Sequence, residues 1–126
     1  MAVNLRGVTT VLLAGTGSDD DYVYRAFSGP LHEVGAIVVT PAPEPRRLVA
    51  GYLDAVDDAA RSGAPIAVGG VSIGAAVATA WALRHPSAAV AVLAALPAWS
   101  GAPANAPAAL TARHSARQLR DEGLAA

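Results

Sequence analysis

Short apolar runs alternate with stretches of helical periodicity along the chain, an order that predicts parallel strands joined by crossover helices. Val8 to Ala14 reads as the first strand. It ends in Gly15-Thr16-Gly17-Ser18, after which Ser18 supplies a hydroxyl cap, and Asp19, Asp20 and Asp21 the first-turn acids, of a helix reaching about His32. Gly35 to Thr40 is a second strand, apolar almost throughout, as suits burial on both faces. Pro41, Pro43 and Pro45 mark the turn that follows. The next helix, about Pro45 to Arg61, places Leu48, Tyr52, Val56 and Ala59 on one face and Arg46, Asp54, Asp57, Asp58 and Arg61 elsewhere. Pro65 to Val71 is a third strand and runs without a spacer into a helix from Ile73 to Arg84, whose alanines let it lie close on a sheet. Ala88 to Leu96 is the fourth strand, made of residues suited to burial on both faces and to neighbours on both edges. A loop rich in Pro, Ala and Gly leads to a last helix, about Ala108 to Glu122, with Arg113, Arg117 and Arg120 on an exposed stripe. The predicted class is α/β, a three-layer α/β/α arrangement on a mainly parallel sheet.

Two uncharged stretches, Ser62 to Leu83 and Pro86 to Ala112, are long enough to raise the question of a membrane span. Both answer it in the negative. Pro65, Gly69, Gly70 and Gly74 interrupt the first, and Pro97, Pro103 and Pro107 the second. The segment Met1 to Arg6 has no charged start leading into a long apolar region, so a cytoplasmic location is expected.

Composition narrows the function classes. At 126 residues the chain makes one domain at most, and it buries roughly two-thirds of its unfolded surface. Nine basic residues, all arginine, stand against ten acidic ones, and a net charge of -1 offers no bulk attraction to nucleic acid or anionic membranes. The absence of cysteine removes disulfides, thiolate metal sites and a cysteine nucleophile together.

Chemistry enters between the third strand and its helix, where Gly70-Val71-Ser72-Ile73-Gly74 forms a G-x-S-x-G pentapeptide in a strand, turn, helix context. A turn this tight strains the serine backbone and leaves no room for side chains two residues to either side, hence Gly70 and Gly74. Ser72 then projects above the strand end as a candidate nucleophile. The amide of Ile73, at the start of the helix, points at the oxyanion of a tetrahedral intermediate, and Thr16, at the end of the neighbouring first strand, stands where a second donor is expected. The same residues also suit an ordinary tight turn in an alanine-rich protein.

With these residues in place, the chain resembles the first half of an α/β-hydrolase. The likeness covers Val8 to Leu96, with the turn around Ser72 as nucleophile elbow, Ala14-Gly15-Thr16-Gly17 in place of the family's His-Gly oxyanion loop, and Arg84-His85-Pro86 closing the helix after the nucleophile. The resemblance implies that residues 1–96 form an incomplete hydrolase core of four strand-helix units and that residues 97–126, a loop and helix, begin a lid. It further implies a serine hydrolase acting on a carboxylic ester or related acyl substrate, without cofactor or metal. The sequence departs from the family after Ser72. The acids there are Asp121 and Glu122 and the histidines His85 and His114, none of them placed as a triad member would be. His85 reads as a helix-end residue and His114 as part of a solvated face. The base and acid are therefore expected from outside this chain, through a completing C-terminal segment or a homo-oligomer. The alternative is a non-catalytic half-domain that associates through its sheet edges.

Other motifs carry less. Asp20 replaces the third glycine of a dinucleotide fingerprint after Gly15 and Gly17, and acids crowd the place of the pyrophosphate. The three consecutive aspartates fan around a helix and cannot converge on one ion. Trp81 reads as core, and Trp99 as a residue near the expected cleft.

Overall fold

A computed structural model of the protein describes residues 3–96 and 107–123. In chain order the elements are β1 (Thr9–Leu13), α1 (Asp20–Glu33), β2 (Ile37–Val39), α2 (Leu48–Ala60), β3 (Ile66–Val71), α3 (Ile73–Arg84), β4 (Ala89–Ala95) and α4 (Pro107–Glu122). The four strands form one all-parallel sheet in the order β2-β1-β3-β4. Thr10 stands beside Ala67 and Leu13 beside Gly70, so β1 and β3 end together.

Side chains alternate across a strand, and β1 sorts the two faces of the sheet. Leu12 and Ala14 pack with Val23 and Leu31 of α1. Val11 and Leu13 point the other way, into a larger cluster with Tyr52 and Val56 of α2, Ile66 and Val68 of β3, and Val77, Ala78 and Trp81 of α3. The result is three layers, with α1 on one side and α2 and α3 on the other. Helix α3 lies close on the sheet because three of its five buried positions, Gly74, Ala75 and Ala78, offer little side-chain thickness. Trp81 is its one large anchor. The ring is buried and its indole N–H donates to the Asp57 carboxylate of α2 at 2.8 Å, as a buried indole requires.

The structure corrects four expectations. The cap of α1 is Asp19, whose carboxylate accepts from the Tyr22 amide at 2.8 Å, while the Ser18 hydroxyl accepts from the Gly15 amide at 3.0 Å and closes the preceding loop. Helix α2 begins at Leu48, because Glu44 to Arg47 close a separate turn through an Arg47 amide to Glu44 carbonyl bond of 3.0 Å. Strand β2 is buried on neither face. It lies at the edge beside β1 alone, and Ile37 and Val39 share the face of Val11, which α2 covers over β1 and β3 but not over β2. They are 52% and 38% exposed. Strand β4 forms the other edge, with Val90 and Val92 exposed alternately with half-buried neighbours.

No helix among the described residues is long and apolar enough to cross a membrane. From Leu110 onward the described residues of α4 and the glycine after it are all exposed, His114, Asp121 and Glu122 among them. Trp99 and the loop before α4 lie outside the described residues.

Candidate active site at the Ser72 turn

Ser72 is the single residue between β3 and α3. Its backbone has φ 53° and ψ -117°, in the left-handed half of the map where a side chain is strained. Its amide donates to the Ala95 carbonyl of β4 at 3.1 Å, and its carbonyl accepts the first bond of α3 from Ala76 at 3.1 Å. The chain thus reverses from strand to helix in one residue. The reversal is possible because of the glycines flanking it: a Cβ at either Gly70 or Gly74 would collide with the carbonyl oxygen of Leu13 on β1. The elbow and the end of β1 are in backbone contact.

Serine at a helix start ordinarily caps it with its hydroxyl. Ser72 makes no such bond. It lines a cleft of about 640 Å³ together with Gly15, Thr16, Gly17, Ser18, Asp19, Tyr22 and Val71. The structure therefore brings together the loop after β1 and the turn after β3, the two segments singled out by sequence. A methyl group at Gly15 would stand 3.3 Å from the Ser72 Cβ, which measures how close they come. The cleft lies at the carboxyl ends of β1 and β3, where the order β2-β1-β3-β4 changes direction and where ligands bind in open parallel sheets. The N-termini of α1 and α3 both open near it. The amide of Ile73, first residue of α3, precedes the intrahelical bonds and has no partner within its own helix.

The aspartates after Gly17 have separate tasks. Asp19 caps α1, and Asp21 pairs with Arg25 at 3.0 Å on the solvent side. Asp20 acts at a distance on Tyr52. That phenol was not singled out chemically in the sequence, where it reads as one apolar position of α2. Buried at 1% exposure, it donates to the carbonyl oxygen of Ala14 at 2.9 Å. Burial pushes its ionisation above the ordinary value of 10.0, and the charge of Asp20 adds to the shift. The legible signal is general: a tyrosine on the core face of a helix needs an acceptor for its hydroxyl.

No histidine lines the cleft among the described residues. His85 caps the far end of α3, about 18 Å from Ser72 by the rise of a helix of that length. Its ring stacks on Trp81 at 4.4 Å between centroids and its Nδ1 lies 2.9 Å from the Trp81 carbonyl. His32 stands near the corresponding end of α1.

Compared with models of protein families, with curated proteins and with solved structures, the chain matches none.

Proposed function

We propose that this chain carries the nucleophile-bearing part of a cytoplasmic serine hydrolase that acts on a carboxylic ester or related acyl substrate. Ser72 Oγ attacks the substrate carbonyl, and the amides of Thr16 and Ile73 receive the negative charge that develops on its oxygen. The serine proton passes to a histidine base and from there to the departing alcohol. Water then attacks the acyl-enzyme, releasing the acid and restoring the hydroxyl. The base and its acid partner are supplied from outside this chain, by a completing C-terminal segment or a second copy, because among the described residues no histidine lines the cleft and His85 and His32 sit at the far ends of their helices.

One observation carries this reading: the backbone of Ser72, a residue that lines the cleft, is held in a strained conformation while its hydroxyl serves no cap. Strain of this kind persists only where the surroundings over-determine it, and it gathers at working sites. The test is covalent. In the natural full-length polypeptide a fluorophosphonate probe should label Ser72, and Ser72→Ala should abolish labelling. Equal labelling after that substitution removes Ser72 as the nucleophile.

A second reading, a non-catalytic half-domain that pairs through its sheet edges, is favoured by β4. Ala89–Ala95 is an open edge without a charge, a proline or a lysine to deter pairing, and it exposes Val90 and Val92.

A further inference from the structure

Tyr52 and Ala14 are 38 positions apart in sequence and meet beneath the cleft. The Ala14 carbonyl belongs to the peptide that Gly15 continues, so whatever fixes that carbonyl also fixes the plane from which the loop departs. Ala14 is fully buried, and its oxygen has the phenol as a partner at 2.9 Å. The far end of the loop is tied as well, by the bond between the Gly15 amide and the Ser18 hydroxyl and by the Ser18 amide on the Gly15 carbonyl at 3.3 Å. Thr16 lies between the two ties. The strand end is further wedged by the elbow, since the Leu13 carbonyl occupies the space that side chains at Gly70 and Gly74 would take.

We infer that Tyr52 is a positioning residue: its hydroxyl, anchored on the Ala14 carbonyl, holds the Gly15-Thr16 loop in register with Ser72 so that the Thr16 amide faces the reacting carbonyl oxygen. This rests on the proposed role of Ser72 for its catalytic consequence, but the anchoring itself does not. Tyr52 touches neither substrate nor nucleophile. It acts through the loop, from the opposite side of the strand end. The phenol suits this task because its ring fills the core between α2 and the sheet while its single polar atom reaches the backbone of β1, and burial keeps it protonated and therefore a donor.

Tyr52→Phe keeps the ring and removes the anchor. In the full-length polypeptide we expect fluorophosphonate labelling to slow by about ten- to a hundredfold, the cost of a small misplacement of a stabilising group. The loss should fall on the maximal labelling rate with the half-saturating probe concentration unchanged, whereas a fold weakened throughout would lower the labelled fraction instead. Amide hydrogen exchange should quicken at Gly15 to Ser18 and stay unaltered in β3. Unchanged exchange in the loop, or an unchanged maximal rate in a protein that does label, overturns the inference. If the unsubstituted protein does not label at all, the hydrolase reading fails, and the exchange result alone judges the anchor. Should Tyr52→Phe fail to fold, the unsubstituted protein decides by NMR: a slowly exchanging Tyr52 hydroxyl proton supports the anchor and its absence refutes it.

Discussion

The carbonyl oxygen of Leu13 lies where a side chain at Gly74 would have to go. One position therefore couples three elements: β1 provides the oxygen, β3 ends opposite it, and the first turn of α3 contains the glycine that makes way for it. Gly74→Val should lower stability by about 1 to 3 kcal/mol, as overpacking does elsewhere, and the melting temperature by several degrees. Thermal unfolding measures it. An unchanged melting temperature would mean that β1 and α3 are not in the close contact described.

Ser72 permits a test that separates strain from capping. A capping serine loses about 1 kcal/mol on conversion to alanine. Because the Ser72 hydroxyl makes no cap, Ser72→Ala should stay within about 0.5 kcal/mol of the unsubstituted protein. Ser72→Gly should exceed Ser72→Ala in stability by about 1 kcal/mol, since glycine tolerates φ 53° without a Cβ penalty. Denaturant titrations of the three proteins give the ranking, and a destabilised Ser72→Ala would restore the capping role.

How much of this was legible beforehand depends on the range of the interaction responsible. Helix α3 runs over Ile73–Arg84 as its pattern predicts, and β3 differs by one residue, because the signals there are local: a β-branched run, glycines, then alanines at helical spacing. The juxtaposition of Gly15-Thr16 with Ser72 was also within reach, since parallel strands linked by crossovers bring their carboxyl ends to one side of a sheet. Exposure was not. Ile37 and Val39 look like core by composition and lie open because β2 is an edge that α2 does not cover, a fact of strand order and not of residue type. The choice of Asp19 over Ser18 as cap turned on which side chain the Gly15 amide would recruit. The Tyr52 bond to Ala14 joins two elements with no sequence pattern in common.

The same phenol gives a pH dependence. Its ionisation is raised in the folded state, chiefly by burial, so below the ordinary value of 10.0 both folded and unfolded chains keep the proton and stability is unaffected. Above that value the unfolded chain releases the proton while the folded chain holds it. Unfolding is then favoured, and stability falls by at most about 1.4 kcal/mol per pH unit until the folded phenol also ionises. Tyr52→Phe should lack this component. The comparison of denaturant midpoints between pH 8 and 11 measures the difference, which should grow only above about pH 10. Parallel curves for the two proteins would show that the phenol titrates alike in both states.

The open edge of β4 supplies the last prediction, which discriminates between the two functional readings. A seven-residue parallel strand of alanine, valine and leucine, paired among the described residues with β3 on one side only, is a template for another strand. The 126-residue chain by itself should therefore associate, and Val92→Lys, which sets a charge on an already exposed position of that edge, should return it to monomer with little loss of stability. Size-exclusion chromatography with light scattering reports both. In the hydrolase reading the edge is where further strands belong, so the chain alone should also hydrolyse an activated ester only feebly, at about four to six orders of magnitude below a complete triad. In the half-domain reading association through β4 is the function and no esterase activity is gained by any longer polypeptide. A monomeric 126-residue chain with ordinary esterase turnover contradicts both, and would direct attention to His114 and Asp121 of α4 as base and acid.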